Sequence, residues 1–134
     1  MAEVRVDTIV RGGKVVSSSQ VYEAAIAISG EKIVAVGPEE LLPPADEYID
    51  ADGKYVLPGL IDCHVHLSYT DDYAIGAQAA AHAGLTTLVP FANYDLEAGE
   101  TLPAAIQRIR EQIEASAVVD FGLHFTLENR PYIL

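Results

Sequence analysis

The sequence predicts an α/β protein in which a β-only segment leads into a β-α-β-α-β series. Up to Tyr55 the apolar residues alternate in short runs separated by glycine turns; beyond Pro58 strand-like runs are interleaved with helical spacing. A third observation sits at the junction. In "VLPGLIDCHVHL", residues 56–67, an aspartate and two histidines occupy alternate positions of an otherwise apolar strand.

The elements follow in order. "VRVDTIV" alternates, "RGGK" supplies a glycine turn, and "VVSS" continues outward. "AAIAIS", the turn "GEK" and "IVAVG" make a strand pair. "PEELLPPAD" is a proline-bearing loop, and "EYIDADGKYVLPG" turns at Asp52–Gly53. These short strands predict a mainly antiparallel small sheet or half of a sandwich. After the 56–67 strand, Asp71–Asp72 can cap a helix through "YAIGAQAAAHA", with Gly84 as its stop. "LTTLVPF" is a second strand. Thr101 caps a second helix that tolerates Pro103 in its first turn and carries the stripe Ile106, Ile109, Ile113. "AVVDFGLHFTL", residues 117–127, closes the series with a third strand over 118–127. Strands separated by helices run parallel through right-handed crossovers. An open doubly wound sheet and the start of a (β/α)8 barrel both fit, and both gather chemistry at the C-terminal ends of the strands, where His64 and His66 lie.

Composition narrows the partners. The 134 residues carry 20 acidic against 8 basic side chains, a net charge of −12, with no Lys/Arg cluster, which argues against nucleic acid or an anionic membrane. No apolar run approaches the ~20 residues that span a bilayer. Cys63 is the only cysteine, so no intrachain disulfide forms and a reducing cytoplasm is the expected compartment.

Strand geometry turns the junction into a chemical expectation. Successive side chains alternate faces, so Leu60, Asp62, His64 and His66 share one face and Ile61, Cys63, Val65 and Leu67 the other. Imidazole is the commonest metal ligand, and two at i and i+2 on one strand reach one cation. Asp62 can support a ligand from behind. Two ligands alone leave a site incomplete.

"VLPGLIDCHVHL" resembles the first-strand signature of the amidohydrolase superfamily, metal-dependent hydrolases built on a (β/α)8 barrel. "DTIVRGGKVVSSSQVYEAAIAISGEKIVAVGP" resembles that superfamily's N-terminal β segment, half of a composite sandwich. "DDYAIGAQAAAHAGLTTLVPF" and "VVDFGLHFTL" resemble most the cyclic-amidase branch of dihydropyrimidinases, hydantoinases, allantoinases and dihydroorotases. The resemblance implies residues 1–55 as half of the sandwich and 56–134 as the first three strands of a barrel, incomplete. It implies hydrolysis of the C–N bond of a small cyclic amide or imide, a divalent metal, zinc in a binuclear centre, and a dimeric or tetrameric homo-oligomer. His64 and His66 match the pair on the more buried metal, Asp62 the motif's structural acid, and Gly84, Thr86 and Thr87 a packing "GxTT".

The departures bear on catalysis. In that branch a carboxylated lysine on the fourth strand bridges two metals, later strands add histidines, and an aspartate on the eighth transfers protons. Lys14, Lys32 and Lys54 all precede the His-x-His strand, so none fills that role. A barrel needs about 250 residues, and the expectation is an N-terminal fragment that contains no catalytic residue of its own. Other amidohydrolase branches, deacylase or deaminase-like, and an inert scaffold are the rival readings. His124 alternates away from Leu123 and Phe125 but matches no family ligand. His82 is read as favouring a helix C-terminus and Cys63 as core against a helix. Asp71 and Asp72 are caps, while Asn93, Tyr94 and Asp95 follow the second strand on the site's side.

Overall fold

The alternating first third forms seven short strands: β1 (Val6–Arg11), β2 (Lys14–Val16), β3 (Val21–Glu23), β4 (Ala25–Ser29), β5 (Lys32–Gly37), β6 (Ala45–Asp50) and β7 (Tyr55–Val56). They belong to a computed structural model that describes residues 4–67, 72–92 and 99–126. The chain divides into two compact units, Met1–Pro58 and Gly59–Leu134.

In the first unit β5-β4-β1-β6 form one sheet and β3-β2-β7 another. The β4–β5 pair is the antiparallel hairpin read from "AAIAIS-GEK-IVAVG". The β1–β4 and β2–β3 pairs are antiparallel as well. Two pairs depart from that pattern: β1–β6 and β2–β7 are parallel. Both edges of β1 are occupied, by β4 and β6, so the turn at Gly12–Gly13 cannot fold β2 back onto it. β2 therefore crosses into the second sheet, and β7 follows it after the Asp52–Gly53 turn. A core of Val6, Ile9, Ala25, Ala27 and Ala45 is closed by Ala35 and Leu42. Ile9 is 1% exposed, a burial that stabilises by about 1.5–3 kcal/mol.

The second unit runs β8 (Leu60–Val65), α1 (Tyr73–His82), β9 (Leu85–Ala92), α2 (Leu102–Glu114), β10 (Asp120–Phe121) and β11 (His124–Phe125). β9 is central, with β8 on one side and β10 and β11 on the other, every pair parallel. The β-α-β-α-β order and the parallel pairing of Ile61 with Thr87 follow the sequence reading.

The helix ends are set locally. The Asp72 carboxylate accepts the Ile75 N–H at 2.9 Å, which satisfies one orphan donor of the first turn of α1; Asp71 lies outside the described residues. Gly84 ends the helix at φ 85°, a conformation that costs glycine little, and its N–H donates to the Ala81 carbonyl. The Gly84 carbonyl then accepts the Leu60 N–H at 3.1 Å, so the helix stop also registers β8 beside β9. Thr101 Oγ1 accepts from the Ala104 N–H, and Pro103 sits in the first turn of α2.

Two details correct the sequence reading. The buried stripe of α2 is Ala105, Ile109 and Ile113, while Ile106 is exposed. Positions four apart stack along one face, and Ile106 falls to its margin. The third strand is two short ladders separated by Gly122–Leu123 instead of one run over 118–127, and Leu127 lies outside the described residues. Its alternation survives. Phe121, Leu123 and Phe125 all pack on the Ala92–Ile109–Ile113 cluster.

Gly59 is fixed by close approach. A Cβ there would lie 2.7 Å from the Thr86 Cβ and nearer still to its Oγ1 and Cγ2. Thr86 is β-branched and cannot swing aside freely. Gly59→Ala is expected to lower stability by about 1–3 kcal/mol, read by thermal melting; an unchanged Tm would mean that the two strands part here at no cost.

Candidate metal centre

His64 is the penultimate residue of β8 and His66 lies one residue past its end; both are exposed. Their ring centroids are 5.2 Å apart and meet edge to face at 70°. The two imidazoles thus stand on the same side of the strand. Each also contacts Phe91 of β9, at 4.6 Å for His64 and 4.8 Å for His66, the latter nearly parallel at 17°.

The strand reaches this geometry through a local irregularity. Asp62 is in register with Leu88 and Val65 with Pro90, so β8 spends three steps where β9 spends two. Pro90 has no N–H to give the ladder, and interior strand prolines are confined to bulges. The extra residue rotates His64 and His66 onto the Phe91 face, whereas Asp62 aligns with buried Leu88. The unbroken stripe expected for Asp62, His64 and His66 is therefore broken between the first two. Asp62 Oδ1 accepts the His64 backbone N–H at 3.0 Å, which pins the main chain at His64.

Cys63 falls inside the same irregularity and is exposed, not packed against a helix as the alternation predicted. Its carbonyl oxygen lies 3.0 Å from His124 Nε2. His124 is paired with Phe91 across β9–β11, and its ring stacks on Phe91 at 4.9 Å and 25°. Sequence reasoning left Phe91 out altogether, although the alternation Val89, Phe91 against Leu88, Pro90 and Ala92 marks it as the site-side residue of β9. His82 lies exposed in the last turn of α1. Thr86 packs beside Gly59, and Asn93, Tyr94 and Asp95 lie outside the described residues.

The donor set fits a divalent ion in part. Metal–imidazole bonds are about 2.0–2.1 Å, and rings this close on one side can each turn a nitrogen to a common point. Among the described residues no group of three or more His, Cys, Asp or Glu side chains converges.

No protein-family model matches the chain. Over 126 residues it is 35% identical to a D-hydantoinase of Geobacillus stearothermophilus, covering 89% of this chain. A crystal structure of dihydropyrimidinase from Brevibacillus agri superposes on 93% of this chain with TM-score 0.82 and 37% identity. The chain is a homologue of the hydantoinases and dihydropyrimidinases. This hydantoinase homologue spans about a quarter of the length of those relatives, 26% of the first and 28% of the second. A D-aminoacylase studied for the role of its binuclear metal centre superposes on 63% of the chain and 18% of its own, with TM-score 0.54 and 31% identity.

Proposed function

We propose that the chain is the metal-strand portion of a divalent-metal-dependent hydrolase that opens the C–N bond of a cyclic amide or imide of the hydantoin or dihydropyrimidine type. His64 and His66 are its metal ligands. The observation that carries the reading is the imidazole pair, 5.2 Å apart at the end of a parallel strand, in a homologue of D-hydantoinase. Imidazole donors suit zinc, which we assign as the ion, in a centre that the rest of the protein completes to two. When bound, such an ion activates water and polarises the substrate carbonyl.

The chain's own residues have narrower tasks. His64 and His66 offer neutral ring nitrogens and transfer no proton. Phe91 props both rings, and Asp62 supports them from behind by holding the His64 main chain. Residues 1–55 form half of a composite sandwich and 56–134 the first three strands of a (β/α)8 barrel. Parallel pairing through β8, β9 and β11 supports the barrel, because it leaves both strand ends of the site on one edge. The single cysteine supports a reducing cytoplasm. No described helix is long and apolar enough to cross a membrane. The assembled enzyme is a homo-oligomer.

A second reading, a deacylase of acyclic N-acyl amino acids, is favoured by the D-aminoacylase likeness. The full-length natural protein loaded with zinc should hydrolyse at least one of hydantoin, dihydrouracil, allantoin and dihydroorotate, and lose that activity to a chelator. Turnover of an N-acyl-D-amino acid alone would move the assignment to the second reading, and no metal-dependent turnover would refute both.

A further inference from the structure

We propose that His124 is a positioning residue for the metal-ligand pair, acting on the β8 main chain and on Phe91 without touching the ion. The inference rests on the reading of His64 and His66 as ligands. Cys63, whose carbonyl lies 3.0 Å from His124 Nε2, immediately precedes His64 and sits where the β8–β9 register shifts. A carbonyl oxygen only accepts, so Nε2 carries the proton and the tautomer of His124 is fixed. The bond reaches from β11 across β9 to β8, over the ring of Phe91. It clamps the Asp62–Val65 stretch of β8, the second of the two places where the β8–β9 register shifts, opposite Pro90. Asp62 holds the same stretch from the other end, through the His64 N–H.

The second contact acts through stacking. Phe91 meets His64, His66 and His124 at centroid distances of 4.6, 4.8 and 4.9 Å. With His124 stacked on it, the Phe91 ring is held between β11 and the two ligands, and it fixes the plane of His66 by parallel contact. Partners behind metal ligands typically change metal affinity by about 10–100-fold when removed. His124 is built to have an effect of that kind through the main chain.

The test uses the full-length natural protein and cobalt(II), whose visible absorption reports imidazole coordination. His124→Phe keeps the stack and loses the donor; His124→Gln keeps an N–H donor. The cobalt Kd is expected to rise about tenfold in His124→Phe and to recover most of that loss in His124→Gln, which keeps the donor but not the stack, with the apo Tm of the two variants alike. In the metal-free wild type, long-range ¹H–¹⁵N spectra at alkaline pH should show the Nε2–H tautomer. An unchanged Kd in His124→Phe, an equal loss in both variants, or the Nδ1–H tautomer would overturn the positioning role. His64→Ala separates the two layers: if it leaves the cobalt spectrum intact, the ligand reading fails, and if it abolishes the spectrum while His124→Phe does nothing, only the role of His124 fails.

Discussion

On the proposed reading, replacing His64 and His66 together by alanine is expected to abolish metal-dependent hydrolysis in the full-length protein and to remove bound ion, while leaving the melting temperature of the metal-free form nearly unchanged. Both imidazoles are exposed and lie outside the buried cluster of Ala92, Ile109 and Ile113, so their truncation opens no cavity. The loss is chemical. A metal ion supplies several kcal/mol of charge stabilisation at a carbonyl, and each ~1.4 kcal/mol is tenfold in rate, so kcat/KM should fall by about 10³-fold or more. Either single variant should lose most of this, because one imidazole does not complete the pair. Metal analysis beside the hydrolysis assay checks the result; full metal content in the double variant would place the ion elsewhere.

The second large effect concerns these 134 residues expressed alone. They should hydrolyse none of the four cyclic amides above a metal-only control and should not elute as a sharp monomer. The edge formed by β8 leaves Ile61 67% and Leu60 52% exposed, and Val118 beyond α2 is 59% exposed. Parallel strands are normally covered on both faces, and exposed apolar edges recruit other chains. The opposite edge is two ladders of two residues each. Catalysis fails for a separate reason: two described donors hold an ion weakly and cannot arrange water, oxyanion contacts and a base around one substrate. Size-exclusion chromatography with thermal melting, run beside the assays, tests both halves. Turnover, or a monomer that melts cooperatively, would contradict them.

How much the sequence disclosed depended on how local the cause was. Asp72 and Thr101 cap their helices through contacts three residues away, and Gly84 stops α1 by its own backbone, so all three were legible. The imidazole pair was legible for the same reason, since i and i+2 share a face over any short regular stretch. Asp62 and Cys63 were misplaced because alternation assumes an unbroken ladder. The break lies opposite Pro90, on a neighbouring strand 25 or more residues away, and only the pairing reveals that alignment. The parallel pairs β1–β6 and β2–β7 were hidden likewise, because tight glycine turns invite hairpins unless both edges of β1 are already taken. Phe91 was overlooked because an aromatic in an apolar strand carries no sign of the rings that will stack on it.

The central claim is that one ion is held by His64 and His66 together. Crystals of the full-length protein grown with zinc, measured at the zinc absorption edge, test it most directly. An anomalous peak within about 2.0–2.1 Å of a ring nitrogen of both His64 and His66 is the predicted result. A zinc peak bonded to neither, or to one while the other ring turns away, would contradict it.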